Sequence, residues 1–310
     1  MKESFEQVKE KFKGPIAYPT TPFKKIKEKL IIDEESFRKQ INFLIRNEVP
    51  IITPCGGTGE FFSLNLQEWK TLVEIAMDEA KDKNVIIMPS VGGGINQAIE
   101  MAQYAEELGC DIIQITMLDP MFGMAEEGIF EYNRQIANSI SITAMAYKNK
   151  SIPMSIKLAF DICNIKNIIA FKDEASDIYW FRELMVNVGE NIIGVCGGGE
   201  VEAPYYFLAG AKAFTTGIIN LFPKLSMNLY MAAKERNWDK VFYIQDRLRP
   251  LNQLRNKPGK MIPVIKEALQ VLGITNNTYS RPPVVPLTEE EKNEIRKILE
   301  NLNAEDYQKA

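Results

Sequence analysis

The chain has 310 residues, with 37 Lys and Arg against 41 Asp and Glu, four cysteines and no histidine. Its 45% apolar and 25% charged residues suit a globular protein with a sizeable core, and exclude a disordered chain, a collagen-like repeat or a disulfide scaffold. Without histidine there is no Ser-His-Asp triad, no Cys-His pair and no imidazole metal ligand, so any general acid or base is Lys, Tyr, Glu, Asp or Cys.

In chain order, residues 1–13 are charged throughout, lack the apolar core of a signal peptide and read as a short amphipathic helix. Eight short apolar runs follow, at 15–18, 50–53, 85–89, 111–116, 141–147, 168–171, 191–195 and 211–216. Rich in Ile and Val and nearly free of alternation, they suit strands buried on both faces. Helical stretches lie between them, at 34–46, 66–82, 96–108, 126–139, 154–163, 178–188, 201–208 and 225–236, with Asp33 as an N-cap and Gly109 as a C-cap. Eight successive strand-helix units predict parallel strands closing into a (β/α)8 TIM barrel over residues 14–236. An open doubly wound sheet is the competitor, but no G-x-x-x-x-G-K-[ST] or complete G-x-G-x-x-G is present. Residues 237–310 read as an appended helical region, with helices at 239–255, 260–272 and 288–302 and an extended connector marked by Pro282, Pro283 and Pro286.

Partner classes narrow in the same way. The formal charge of −4 argues against nucleic acid, and the basic residues Lys24, Lys25, Lys27 and Lys29 read as a solvated loop. No run reaches the ~18–20 apolar residues of a membrane span. Cys55, Cys110, Cys163 and Cys196 have no C-x-x-C spacing and read as free thiols of a cytoplasmic protein.

In such a barrel, chemistry collects where strands end. The sixth run closes on Lys172. If it points inward, Phe171 and Asp173 point to the helix layer. Burial would then lower its pKa and free a neutral amine to attack a carbonyl. A lysine that snorkels to the rim or pairs with Asp173 or Glu174 is the plainer reading. Tyr147 closes the neighbouring run, within reach of Lys172 as a proton shuttle, or as an ordinary rim aromatic. The glycine-rich turn Cys55-Gly56-Gly57-Thr58-Gly59-Glu60 can offer backbone N–H groups to a carboxylate. Gly197 after the seventh run, and Thr215 and Thr216 closing the eighth, are further candidates for contact with a ligand. Each of these has a purely structural alternative.

Taken together, these residues resemble the dihydrodipicolinate synthase / N-acetylneuraminate lyase family of Schiff-base barrel enzymes over roughly residues 14–286. TTPF at 20–23 resembles the family's first-strand motif, and GGTGEFFSL at 56–64 its GTTGE carboxylate loop. Tyr147 and the lysine of FKD at 171–173 match the strand-five tyrosine and the imine-forming lysine, with a 25-residue separation that fits one intervening helix. Cys196-Gly197 and GAKAFTTGIINLFP at 210–223 resemble the last two strand motifs. The resemblance implies catalysis by Lys172 and Tyr147, substrate contacts from Gly57, Thr58, Gly197, Thr215 and Thr216, and no metal or added cofactor. It also implies a small 2-oxo acid substrate and a homodimer or tetramer.

The chain departs from the synthases proper. Gly57 replaces the second threonine, residues 117–122 contain no tyrosine, and no arginine follows Tyr147 within Lys148-Asn149-Lys150-Ser151. GGTGEFFSL with FKD more closely resembles the 5-dehydro-4-deoxyglucarate dehydratases. That implies a class I lyase that dehydrates and decarboxylates a keto-deoxy sugar acid. A pyruvate-dependent synthase or aldolase and a non-catalytic keto-acid binder are the alternatives. Lys148 or Lys150 would replace the missing guanidinium as a point charge, or else be solvated loop lysines.

Overall fold

The computed structural model describes residues 4–117 and 123–302. Helix α1 (Phe5–Lys11) starts on a capping box in which Ser4 and Gln7 satisfy each other's backbone N–H. Its buried Val8, with Phe12, packs against Ile16, Ile51, Met88, Ile112 and Met145, which are among the residues lining the barrel interior. The amphipathic N-terminal helix is therefore a plug for the barrel floor.

The first barrel strand is β1 (Gly14–Ala17), followed by a hairpin of β2 (Phe23–Ile26) and β3 (Lys29–Ile32). This hairpin corrects the expectation of a loop at the basic residues. Phe23 pairs with Ile32 at its base, while Lys27 makes the turn with φ +53°. Then come α2 (Glu34–Arg46), β4 (Ile51–Ile52) and α3 (Leu66–Ala80). The third apolar run splits into β5 (Ile86–Ile87) and β6 (Ser90–Gly92), because the chain turns at Met88-Pro89 and proline has no N–H for a ladder. The alternation continues through α4 (Ile95–Glu107), β7 (Ile112–Thr116), α5 (Glu126–Asn138), β8 (Thr143–Asn149), α6 (Ile156–Cys163) and β9 (Ile168–Glu174). It ends with α7 (Ile178–Val188), β10 (Ile193–Cys196), α8 (Gly199–Ala209), β11 (Ala213–Thr216) and α9 (Pro223–Lys234). Asp33 caps α2 through Ser36 N, and Gly109 follows α4 with φ +89°.

All nine sheet segments pair in parallel, in the order β5-β4-β1-β11-β10-β9-β8-β7-β6. The two ends, β5 and β6, are halves of one strand, so the sheet closes into the expected eight-membered TIM barrel. Three further helices follow, α10 (Trp238–Arg255), α11 (Met261–Val271) and α12 (Glu289–Asn301). Among the described residues no helix is long and apolar enough to cross a membrane.

Candidate active site

Strands β8 and β9 run beyond their apolar runs, and their pairing sets the site. Tyr147 lies directly beside Lys172 in the register, and Lys148 beside Asp173. Alternation then sorts the four side chains. Tyr147 and Lys172 turn into the barrel. Lys148 and Asp173 turn to the helix layer, where Asp173 accepts from Tyr206 at 2.5 Å and Lys148 at 3.4 Å, and Lys148 sits 4.4 Å from the Trp180 ring centre. Lys148 is thus a buried partner of Asp173, which corrects its reading both as a solvated loop residue and as a cation at the mouth. Lys150 is exposed on the turn beyond β8.

Lys172 is buried, 5% exposed, with its Nζ 4.7 Å and 4.6 Å from the ring centres of Tyr18 and Tyr147. Its ion partner is Glu174, two residues on and therefore on the same face, at 2.8 Å. The same carboxylate accepts a 2.9 Å hydrogen bond from the Tyr147 hydroxyl. Burial pulls the pKa of Lys172 down, but Glu174, with the Tyr18 and Tyr147 hydroxyls, outweighs it and holds the group above its ordinary value. The expectation of a lowered lysine pKa is therefore overturned. In this state Lys172 is an ammonium, and a nucleophilic role requires its proton to be taken. Burial also pushes the Tyr147 phenol up, against the opposing pull of Lys172.

Tyr18 was not singled out from the sequence. It follows β1, its carbonyl accepts from Asn220 at 2.8 Å, and its hydroxyl donates to Gln114. Gln114 in turn donates to Thr116 at 2.8 Å, so inward polar side chains of β7 fix the phenol in place. Gly56 has no room for a side chain, because a Cβ there would overlap the Tyr18 ring. Gly57 is exposed and has open space around it. Among the described residues neither the Gly57 N–H nor the Thr58 N–H has an acceptor, which leaves two donors for an anion.

The turn that carries them is held from outside the barrel. Cys55 and Glu60 bracket it in left-handed conformations, φ +59° and +57°, which side-chain-bearing residues adopt only when held there. Thr21 of the TTPF segment donates to Gly59 O at 2.6 Å. Glu60, wholly buried, is ion-paired with Lys266 of α11 and accepts from Arg281 N at 2.9 Å. Lys266 also donates to Tyr279 O at 2.7 Å. The Arg281 guanidinium grips Glu68 and lies 4.4 Å from the Phe23 ring centre.

The remaining candidates separate. Gly197 lies at the mouth, but its N–H is committed to Asp173 O at 2.6 Å. Its missing Cβ lets β10 approach Glu174. Thr215 donates toward Gly197 O at 3.4 Å. Thr216, one residue on, faces the helix layer and donates to buried Glu200 at 2.7 Å while accepting from Ile218 N at 2.9 Å. Its hydroxyl is therefore not offered to a ligand. Residues 118–122, most of the loop that lacks the tyrosine pair, lie outside the described residues. All four cysteines are free and buried, and burial holds the thiols of Cys55 and Cys196 above their ordinary range.

A parallel eight-stranded barrel whose mouth holds a buried lysine between two phenols, beside free backbone donors, has the layout of a barrel enzyme. The chain belongs to the dihydrodipicolinate synthetase family, whose model matches residues 11–302, and it is a lyase. It is 31% identical to a probable 5-dehydro-4-deoxyglucarate dehydratase of Rhizobium rhizogenes, over 94% of this chain and 96% of that protein. It is 27% identical to one of Bacillus licheniformis, over 96% of each. Among solved structures it matches a dihydrodipicolinate synthase from Oceanobacillus iheyensis with a TM-score of 0.89 at 26% identity, covering 96% of this chain and 98% of that one.

Proposed function

We propose that this lyase is a Schiff-base enzyme that dehydrates and decarboxylates a keto-deoxy sugar acid, with Lys172 as nucleophile. The observation that carries the reading is the buried Lys172 held between Tyr18 and Tyr147 with Glu174 at 2.8 Å. Gly57 and Thr58 N–H groups, with the Thr58 hydroxyl, bind the carboxylate of the 2-oxo acid and bring its ketone to Lys172. Glu174 takes the ammonium proton, and the freed amine adds to the ketone carbon. Tyr147 protonates the departing hydroxyl, which leaves as water and forms the imine. The iminium draws electrons from the adjacent carbon, whose proton passes to the Tyr147 phenolate. The resulting enamine expels the hydroxyl one carbon further on, which takes the Tyr147 proton and leaves as a second water. The conjugated iminium so formed accepts the electron pair left as the carboxylate at the far end of the substrate departs as CO2, and after reprotonation water hydrolyses the imine to release the keto product and Lys172. The imine is its own electron sink, so the reaction as proposed uses no added cofactor. The dehydratase reading is supported by the relatives' names. A pyruvate-dependent synthase is the second reading, favoured by the likeness to the Oceanobacillus iheyensis synthase.

Borohydride trapping with pyruvate and with 5-dehydro-4-deoxyglucarate, followed by peptide mapping, tests the proposal. A reduced adduct on Lys172 supports it, and its absence with both acids on folded protein rejects it. Turnover of pyruvate with aspartate semialdehyde, without turnover of the sugar acid, selects the synthase.

Two variants test the proton path. Tyr147→Phe keeps the ring beside Lys172 and removes the proton carrier, so turnover is expected to fall by about 10²–10⁴-fold while trapping still occurs, measured by steady-state rates and mass. Because Lys172 is held protonated, imine formation in the parent is expected to rise with pH. Glu174→Gln removes the largest charge that raises the Lys172 pKa, so the midpoint of that profile moves to lower pH. A midpoint unchanged in Glu174→Gln would show that Glu174 does not control the amine.

A further inference from the structure

We propose that Arg255 recognises a second carboxylate on the substrate, and hence that the enzyme is selective for 2-oxo dicarboxylic acids over monocarboxylic ones. The proposal rests on the reading of Lys172 as the imine-forming residue. Arg255 ends α10, the helix that runs past the C-terminal ends of β10 and β11. Gln245 of the same helix donates to Glu200 O at 2.6 Å, just after β10. The Arg255 Nη2 lies 3.8 Å from the point where a Cβ on Gly217 would stand, just after β11, and the Thr58 hydroxyl lies 3.6 Å from that same point. The guanidinium is therefore beside the carboxylate-binding turn, on the helix that covers the mouth.

Its bonding is incomplete. The Nε is buried without a partner, and the one side-chain hydrogen bond is a 3.3 Å contact from Nη1 to Asn252 Oδ1. Burial holds its pKa below the ordinary guanidinium value, with Glu200 and Glu174 pulling the other way from a distance. Yet among the described residues no carboxylate forms an ion pair with it, and the Glu200 carboxylate already accepts from Thr216 and Ser226. The other cations near the mouth are spent or remote. Lys172 is tied to Glu174, Lys148 faces Asp173, and Lys150 is in solvent. A guanidinium stays charged when buried, and its planar fork matches a carboxylate with two parallel N–H···O bonds. A cation withdrawn from water without a direct ion pair is costly to maintain, and an anionic ligand supplies the missing contact. The first carboxylate of a 2-oxo acid already has two backbone donors and the Thr58 hydroxyl, so the guanidinium is assigned to the other end of the molecule. Its role is binding and orientation, and no bond to the substrate forms or breaks through it.

The test uses three probes: pyruvate, 5-dehydro-4-deoxyglucarate, and the matching six-carbon 2-oxo-3-deoxy acid that ends in CH2OH instead of a carboxylate. The concentration dependence of borohydride trapping on Lys172 gives an affinity for each, independent of turnover. The parent is expected to prefer the dicarboxylate over its CH2OH counterpart. In Arg255→Met that preference falls by about 10- to 100-fold, the worth of a charge-assisted pair, and Arg255→Lys restores part of it. Equal losses for all three probes would place Arg255 on the shared carboxylate and overturn the proposal. A parent that does not distinguish the two six-carbon acids would also overturn it. Trapping of pyruvate in the parent shows whether the Lys172 reading itself holds. Failure there removes the basis of the proposal, whereas pyruvate trapping without dicarboxylate preference rejects the Arg255 assignment alone.

Discussion

Lys172→Met is expected to lose covalent trapping altogether and to lower turnover by about four orders of magnitude or more, as removal of a nucleophile does. The same change should leave the fold intact. Lys172 is an ammonium taken almost wholly out of water, and the cost of that desolvation is offset by Glu174 and the two phenols around it. Its partner Glu174 has a side chain 38% exposed, so solvent can take over the carboxylate when the lysine is gone. A methionine fills similar volume between the Tyr18 and Tyr147 rings without a charge. The melting temperature is therefore expected to change little while activity disappears, which separates loss of chemistry from loss of structure. Borohydride trapping that persists in Lys172→Met, on another lysine, would reject the assignment.

Lys266→Met is expected to do the opposite, lowering stability by about 3–5 kcal/mol because it strands a wholly buried Glu60 carboxylate. Burial holds the Lys266 pKa down to about 8, against the pull of Glu60. Since the folded value lies below that of a free lysine, the unfolded chain binds more protons between about pH 8 and 10.4. This group's contribution to stability therefore rises with pH across that window, and the rise should be missing from Lys266→Met. Removing the carboxylate as well, in Glu60→Gln with Lys266→Met, should recover much of the loss, since replacing both members of a buried pair is often close to neutral. Denaturant unfolding of the parent, Lys266→Met and the double variant measures this directly. Because Glu60 also holds the turn that carries Gly57 and Thr58, weaker trapping of pyruvate should accompany the single change.

The barrel was readable because strands buried on both faces appear as short apolar runs, and eight of them came in the right order. The hairpin at residues 23–32 was hidden by its charges, since its exposed strands rest on one buried pair, Phe23 and Ile32. The break at Met88-Pro89 was implied by the proline. Alternation could have refined the site without any structure. Tyr147 and Lys148 cannot both face inward, nor can Thr215 and Thr216, while Glu174 must share a face with Lys172. Arg255 and Tyr18 were beyond such reasoning. A basic residue in the last turn of a helix reads as an ordinary complement to the helix dipole. Only the packing of α10 across the barrel end turns it toward the mouth.

The pairing of β1 with β11, together with the grip of Lys266 and Arg281 on Glu60, bears on how the enzyme is made. Residues 14–17 wait for residues 213–216 before the barrel can close, and Glu60 waits for partners 206 and 221 positions later. On the ribosome the turn that carries Gly57 and Thr58 is therefore written early and finished last. The nascent chain carries all its barrel strands well before it carries a working site.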